Sequence, residues 1–274
     1  MPAGTTRRKI LKIIKRLILS RSLPTAQDIK KAFYYLKKGS FSTLLIKCEG
    51  KLSQRVPPIQ SSDKNTDHFF RVITKKNSFV VPDTKTITVD IIIPIYNALE
   101  YTKKCIDSVL QNSDVSYNLY LINDCSTDPN IYNHLEILKK KLDEAKPVNL
   151  RKLIVIHNKK NMGFIKTVNR GFSLTENDVI LLNTDTEVPK RWISRMLAPY
   201  LRDNRIASAS PFTNDGEICS FPRLCKSNRL PDGITLEKID EIFVKYGSDE
   251  PIDLPTTVGF CMFLSKKALK EIGG

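Results

Sequence analysis

A small group of acid and amide side chains follows an apolar run late in the sequence, where Val179-Ile180-Leu181-Leu182 leads into Asn183-Thr184-Asp185-Thr186-Glu187. Four consecutive apolar residues are typical of a strand buried on both faces. Polar groups at the carboxyl end of such a strand lie at the edge where open α/β sheets bind ligands. The Asp185 carboxylate suits a hard divalent cation, which prefers oxygen ligands and keeps waters that a substrate phosphate can replace. Asp and Asn also end strands because they satisfy turn backbone, so the cluster alone leaves both interpretations open.

The elements that would position this cluster alternate between strand and helix. Short apolar runs predict the strands and a helical spacing of apolar residues predicts the helices. In chain order, these elements cover residues 87–93, 99–110, 118–122, 131–142, 153–156, 164–174 and 179–182. Such an order predicts an α/β fold in which a mostly parallel sheet carries helices on both faces.

Polar residues also follow the first and second predicted strands. Right-handed crossovers place the ends of parallel strands on one edge, so we expect these loops to converge with Asp185. Tyr96, after the first strand, could line a base pocket, and Asp124, after the second, is a good acceptor for an N–H donor of a pyrimidine. Ser126 or Asp128 could equally cap the helix that begins near residue 129.

The segment after the third strand brings Lys159, Lys160 and a helix N-terminus to the same edge, which suits a phosphate group, although an ordinary solvated turn has the same composition. The first strand is not followed by G-x-G-x-x-G, and the sequence contains no G-x-x-x-x-G-K-[ST]. These two glycine-rich nucleotide motifs are therefore disfavoured. A nucleotide site held by carboxylates and a metal ion remains.

Basic residues are concentrated at the amino-terminal end. Residues 1–80 contain 18 lysines and arginines against 4 acids, a net charge of +14 out of the total of +15. Within them, residues 7–20 predict a basic amphipathic helix, either an anchor on an anionic membrane surface or a helix packed on its neighbour. Few aromatic residues interleave with the basic ones, so we expect no nucleic-acid partner.

The distribution of apolar and polar residues predicts three parts. Residues 1–55 form a basic helical module, 56–84 a linker, and 85–274 the α/β domain. The apolar runs are too short to span a bilayer, and Lys12, Lys15 and Arg16 interrupt the amino-terminal one. We therefore expect a cytoplasmic protein, with a peripheral contact on the inner face of the cell membrane as an option. The six cysteines form no C-x-x-C pair, which disfavours a zinc site.

Four motifs in the α/β part together resemble a known family. They are VDIIIPIYN at 89–97, NDCSTD at 123–128, NMGF with NRG at 161–171, and LNTDTEV at 182–188. In order and spacing they resemble the family 2 glycosyltransferases with the GT-A fold, of the rhamnosyltransferase-like type that builds bacterial surface polysaccharides. The resemblance implies a nucleotide-diphospho-sugar donor, commonly a UDP- or dTDP-sugar, a Mn or Mg ion, a glycan or lipid-linked acceptor, and inversion at the anomeric carbon.

The resemblance also implies roles for individual residues. Asp124 would contact the base and Asp185 would be the metal ligand of the family's D-x-D motif, in which Asn183 replaces the first acid. That replacement implies a lower metal affinity. The donor nucleotide would be bound by Pro94, Tyr96, Asn97, Asp124, Ser126, Asn161, Gly163 and Asn183.

The resemblance continues through residues 210–222 and 257–264, the second being similar to the family's acceptor-side strand. In the family, the equivalent of Gly273-Gly274 precedes the segment that carries the catalytic base. We therefore expect the base beyond Gly274 in a C-terminally truncated chain, with Asp215 and Glu217 as minor candidates. The alternative is a catalytically silent donor-binding fragment whose basic amino-terminal arm docks on a membrane or a partner.

Overall fold

The computed structural model describes residues 83–216, 218–221, 225–228, 234–246, 251–254 and 256–273. All of them belong to one compact unit, Ser61–Gly274. The predicted helical module 1–55, including the amphipathic segment 7–20, and nearly all of the linker 56–84 lie outside the described residues, as does Glu217. The elements are β1 Thr88–Ile95, α1 Leu99–Asn112, β2 Ser116–Asn123, α2 Pro129–Ala145, β3 Leu150–His157, α3 Phe164–Leu174, β4 Val179–Leu182, α4 Trp192–Arg202, β5 Ser208–Ala209, α5 Leu236–Tyr246, β6 Cys261–Leu264 and α6 Lys266–Ile272.

Six strands form one mixed sheet in the order β3-β2-β1-β4-β6-β5. The pairs β1–β2, β2–β3 and β1–β4 are parallel, whereas β6 runs antiparallel between β4 and β5. Ile95 of β1 stands level with Asn123 of β2, which stands level with His157 of β3. The carboxyl ends of these three strands therefore lie at one edge, and the predicted mostly parallel α/β fold is confirmed.

Both faces of the sheet are covered by helices because successive side chains of a strand point to opposite faces. On one face, Ile91 and Ile93 of β1 belong to a core that includes residues of α1, α2 and α4. On the other face, Ile92 packs in a smaller core with Val168 of α3 and Leu269 of α6. The predicted arrangement of helices on both faces is thus confirmed.

Helix α3 approaches the sheet closely at a glycine. A Cβ atom at Gly171 would lie 2.8 Å from Ile92 Cγ2 and 3.1 Å from Ile122 Cδ1. Real Cβ atoms do not approach neighbours at 2.8 Å, so the absence of a side chain at position 171 sets the distance between α3 and β1. Residues 158–163 form the loop that leads directly into α3. The packing of α3 on the sheet therefore helps to position this loop.

A buried carboxylate holds the start of β4 at the amino-terminal edge of the sheet. Asp90 is fully buried. It accepts the backbone N–H groups of Glu176 and Asn177, both at 2.9 Å, and the side-chain amide of Asn118 at 2.7 Å. Buried charge of this kind is tolerated because its lone pairs are satisfied. Asp90 lies in a motif that the sequence relates to the donor site, but its contacts are at the opposite edge.

Some elements differ from the sequence prediction. Strand β3 begins at Leu150, three residues earlier than predicted, since Arg151 and Lys152 are exposed on an edge strand and interrupt the apolar pattern. Helices α4 and α5 were not predicted, and α4 contains Pro199 within its length. Among the described residues, no helix is long and apolar enough to cross a membrane.

Candidate functional site

Loops that follow four strands meet at the carboxyl edge of the sheet. The backbone N–H of Asp124 donates to the carbonyl of Ile95 at 2.8 Å, which joins the loops after β2 and β1. The N–H of Asn158 donates to the carbonyl of Asn123 at 2.8 Å, which joins the loops after β3 and β2. The Asn183 N–H donates to the carbonyl of Phe260, also at 2.8 Å. Leu181 of β4 is paired in parallel with Ile92 of β1, so the loop after β4 begins at the same edge as the other three.

Asp124 ties the end of β2 to the start of α3. Its Oδ1 accepts the side-chain amide of Asn158 at 2.7 Å and the backbone N–H of Met162 at 2.8 Å. Its Oδ2 accepts the backbone N–H of Gly163 at 2.8 Å. An ionised carboxylate has about four acceptor positions, and the Thr167 side chain is a fourth neighbouring donor beside these three. Asp124 is 4% exposed.

These contacts also determine how Asp124 titrates. Burial by itself raises the pKa of a carboxyl group. The hydrogen bonds from the Met162 N–H, the Asn158 amide and the Gly163 N–H act in the opposite direction and outweigh burial, so the pKa of Asp124 lies below its usual range. Asp124 is therefore a fixed negative charge at neutral pH. The predicted contact of this residue with the base stays a prediction.

Asn97 joins the loop after β1 to the loop after β2. Its Oδ1 accepts the backbone N–H groups of Thr127 at 2.9 Å and Asp128 at 3.1 Å, and its own N–H donates to Ser126 Oγ at 2.8 Å. Asn97 and Ala98 both have positive φ angles, 57° and 54°, and Asn tolerates this left-handed conformation better than most residues. The predicted pocket residue Asn97 thus acts on its neighbours through its side-chain oxygen.

The other predicted residues of the first two loops occupy the same edge. Tyr96 is 48% exposed, which leaves its ring available to a planar ligand, and Pro94 is partly buried beside it along β1. Asp128, in an extended conformation, caps α2 by accepting the Asn130 N–H at 2.9 Å, and Pro129 is the first residue of that helix. The capping role expected for this segment is confirmed for Asp128.

Asn161 and Gly163 shape the turn that leads into α3. Gly163 is the N-cap with φ 79°, a conformation that residues with a side chain rarely adopt. Asn161 Oδ1 accepts the Gly163 N–H at 3.0 Å. Because Asp124 also receives the Met162 and Gly163 amides, both backbone donors already have a protein acceptor. Lys159 is exposed beside this turn.

Asn183 presents an unpaired oxygen at the end of β4. Its Oδ1 is the buried side-chain oxygen that lacks a hydrogen-bond partner among the described residues. Such an atom costs about 1 to 3 kcal/mol when nothing satisfies it. Its backbone carbonyl accepts the Thr186 N–H at 3.2 Å and the Cys105 thiol at 3.4 Å. An oxygen held in this way is suited to a ligand that supplies a donor or a cation.

Asp185 is exposed two residues further on. Burial raises the pKa of the Cys105 thiol, and the negative charges of Asp185 and Glu187 raise it further. Cys105 therefore stays protonated, which keeps its donor bond to Asn183. Asp185 and Glu187 place two exposed acidic side chains at this corner.

The donor atoms present fit a cation that is shared with a ligand. Across the described ranges, His, Cys, Asp and Glu side chains form no cluster of three or more that would hold a metal by protein atoms alone. Mg²⁺ is commonly bound by one or two carboxylates together with substrate phosphates and water. One exposed carboxylate, Asp185, two residues from Asn183 and its unpaired oxygen, suits that mode.

The sequence did not single out Asn158 and His157, two polar residues whose side chains contact the end of β2. Asn158 is 5% exposed and contacts Asp124, Thr167 and Arg170 through its side chain. His157 contacts Asn123 and Glu136. The polar pair at 157–158 directly follows an apolar strand, as Asn123 and Asp124 do, and this parallel could have identified it.

Comparison with known proteins gives a family match over most of the described chain. The model of the family described as "Glycosyl transferase family 2" matches residues 90–273. A curated protein of Haemophilus influenzae, described as an uncharacterized glycosyltransferase, is 30% identical over 117 residues, which is 42% of this chain and 33% of that protein. The chain thus spans about a third of the length of this curated relative.

Three solved structures with a similar fold contain a bound nucleotide or nucleotide-sugar. Mannosyltransferase PcManGT from Pyrobaculum calidifontis, in complex with GDP-Man and Mn²⁺, is 14% identical with a TM-score of 0.48, covering 77% of this chain and 52% of that one. GalNAc-T7 with UDP, GalNAc and Mn²⁺ is 20% identical with a TM-score of 0.47, and the match covers 68% of this chain and 37% of that one. TarS 1–349 of S. aureus in complex with UDP is 18% identical with a TM-score of 0.45, and the match covers 68% of this chain and 49% of that one.

Proposed function

Because this chain belongs to glycosyl transferase family 2, we propose that it binds a nucleotide-diphospho-sugar at the carboxyl edge of its sheet and transfers the sugar to a glycan or lipid-linked acceptor. The proposed setting is the biosynthesis of a cell-surface polysaccharide, with inversion at the anomeric carbon. The observation that supports this most strongly is the unpaired, buried Asn183 Oδ1 in the same loop as the exposed Asp185. Both lie at the edge where three other loops converge.

In this proposal the nucleoside part of the donor lies against the loops after β1 and β2. The exposed ring of Tyr96 offers a face for stacking. Asp124 is the proposed acceptor for an N–H of the base, and a UDP- or dTDP-sugar provides such a donor. Asn97 and Ser126 hold the two loops in register, so their contribution is to preorganise the pocket.

The diphosphate part lies toward β4. Asp185 is the proposed carboxylate ligand of a Mn or Mg ion. Asn183 Oδ1 either accepts a hydrogen bond from a ribose hydroxyl or coordinates the cation. The ion, when bound, neutralises charge on the departing nucleoside diphosphate. The acceptor oxygen forms a bond to the anomeric carbon as the bond to the diphosphate breaks, and the acceptor hydroxyl releases its proton to a general base.

A calorimetric panel tests donor binding. UDP, dTDP and GDP are titrated into the full chain with Mn²⁺, and again after the metal has been removed with EDTA. We expect at least one nucleotide to bind, with higher affinity when Mn²⁺ is present. Absence of binding for all three nucleotides in the presence of metal would contradict the proposed function.

A peripheral membrane contact is a second proposal, and the charge distribution of the sequence favours it. Residues 1–80 carry a net charge of +14, and each basic residue near an anionic surface contributes about 1 kcal/mol of attraction. Flotation with vesicles rich in phosphatidylserine is expected to recover the full chain but not a chain that lacks residues 1–22. Equal recovery of both, or recovery with neutral vesicles, would overturn this contact.

A further inference from the structure

A continuous line of hydrogen bonds runs from α2 to the end of β1 through His157. The Glu136 carboxylate lies 3.0 Å from His157 Nε2, and His157 Nδ1 lies 3.1 Å from the Asn123 side-chain nitrogen. Asn123 Oδ1 accepts the Ser126 N–H at 3.0 Å, and Ser126 Oγ accepts the Asn97 N–H at 2.8 Å. Everything beyond His157 in this line belongs to the two loops of the proposed nucleotide pocket.

The line specifies one protonation state of His157. The backbone N–H of Ser126 can only donate, so the atom of Asn123 that faces it is Oδ1. The Asn123 NH₂ group therefore faces His157, and only a lone pair on Nδ1 can accept from it. The ring proton then lies on Nε2, where it donates to Glu136. The neutral Nε2–H tautomer is the form that satisfies every member of the line.

We propose that His157 is a positioning residue of the donor site, which acts through Asn123 and Ser126. This inference rests on the proposed function, because the loop it holds is the one assigned to the nucleotide. A protonated ring would place an N–H against the Asn123 NH₂ group. Rotation of the Asn123 amide would only move the mismatch to the Ser126 N–H. Nucleotide affinity is therefore expected to fall as His157 becomes protonated.

Three described side chains contact the His157 ring. Glu136 of α2 is the charged one, and its side chain is 37% exposed. The Tyr132 ring, also of α2, has its centroid 4.3 Å from that of the imidazole. On the β2 side the contact is the neutral Asn123. The His157 side chain is 23% exposed.

Two neutral variants separate the two hydrogen bonds of the ring. His157→Asn keeps an acceptor at the position of Nδ1, whereas His157→Gln keeps a donor at the position of Nε2 and loses the acceptor. Affinity for the best-binding nucleoside diphosphate with Mn²⁺ is measured between about pH 8 and pH 5.5, where imidazoles titrate. We expect wild type to lose about fivefold in affinity toward pH 5.5, the scale of one hydrogen bond.

In the same titration, His157→Asn is expected to stay within about twofold of the neutral wild type at every pH. His157→Gln is expected to bind about fivefold more weakly throughout. His134→Asn, which removes the other described histidine, should keep the wild-type pH dependence. Equal affinities for the Asn and Gln variants, or a pH dependence that persists in both, would overturn the inference.

A measurement without nucleotide separates failure of this inference from failure of the proposed function. The backbone amide resonance of Ser126 is followed by ¹⁵N NMR in the same pH range. We expect it to shift together with the His157 ring resonances in wild type and to stay constant in His157→Asn. A Ser126 amide chemical shift that stays constant while the His157 ring resonances change with pH would contradict the positioning role, even if nucleotide binds.

Discussion

The carboxylate of Asp124, at the end of β2, accepts the backbone N–H of Gly163, at the start of α3, over 2.8 Å. A second oxygen of the same group accepts the Met162 N–H at the same distance. Helix N-terminal amides commonly bind anions, and here the protein supplies one from its own chain. The Asp124 carboxylate is therefore one of the contacts that position the loop 158–163 at the candidate site.

Replacement of Asp124 by Asn is expected to lower the free energy of unfolding by about 2 kcal/mol, because one carboxylate oxygen that accepts an N–H becomes an NH₂ donor. Urea unfolding at pH 7 measures the effect. Asp143→Asn, at an exposed position of α2, removes the same charge and should change stability by less than about 0.5 kcal/mol. Equal effects of the two changes would show that the contacts of Asp124 contribute little.

The difference between wild type and Asp124→Asn should also depend on pH. The pKa of Asp124 is lowered in the folded chain, so its contribution is fully present above the unfolded pKa of about 3.9 and is lost as pH falls through the folded pKa. Urea unfolding between pH 7 and pH 3 is expected to show a constant gap above about pH 5 that narrows below about pH 4. A gap that widens as the pH falls would contradict this sign.

The sequence predicts the three central parallel strands well because β1, β2 and β4 are almost entirely buried. Strand β4, for example, is a run of four buried apolar residues, Val179–Leu182, which can be identified from composition alone. Strand β3 was predicted too short because an edge strand accepts exposed Lys and Arg. The insertion of β6 between β4 and β5 depends on pairing with residues about 80 positions away, and local patterns carry no information about such pairing.

Asn97→Asp should lower the stability of the protein less than Asn97→Ala. Asn97→Ala removes the acceptor of the Thr127 and Asp128 N–H groups and places a residue that disfavours positive φ at 57°. Unfolding by urea is expected to show a loss of roughly 2 to 3 kcal/mol. Asn97→Asp keeps both acceptors and should lose less than half as much. A similar loss for both variants would contradict the role assigned to the side-chain oxygen.

Gly171 tests the close packing of α3 on the sheet. In most helices Gly→Ala stabilises by up to about 1 kcal/mol, but here the new Cβ would meet Ile92 Cγ2 at 2.8 Å. We expect Gly171→Ala to destabilise by about 1 to 3 kcal/mol in urea unfolding. Ile92→Ala should cost at least about 1 kcal/mol less in the Gly171→Ala background than in wild type. Strictly additive losses would show that the two positions are not in conflict.

The candidate site was predicted in outline, and its internal supports were not. The identity of the loops follows from strand order, which places Asp124 and Asp185 at one edge. The supports Asn158 and His157 act through bonds to residues 34 positions away in the chain. Such pairings arise from the parallel register of β2 and β3, so spacing along the sequence does not reveal them.

Asn183→Asp is expected to place a second carboxylate at the proposed metal site. Without metal, two neighbouring acids repel and the protein should lose about 1 kcal/mol of stability. With Mn²⁺ the same variant should gain more in melting temperature than wild type does, because a ligand that binds the folded state stabilises it. Asn161→Asp adds the same charge to a neighbouring loop as a control. An equal Mn²⁺ response of both variants would contradict a metal at Asn183 and Asp185.

The most direct test of the central claim is calorimetric titration of nucleoside diphosphate into Asp185→Asn with and without Mn²⁺. We expect the variant to keep its fold and its weaker metal-free binding, and to bind about tenfold or more weakly than wild type when Mn²⁺ is present. Asp143→Asn should behave as wild type. Undiminished Mn²⁺-dependent binding by Asp185→Asn would contradict the assignment of this strand end as the metal corner of a donor site.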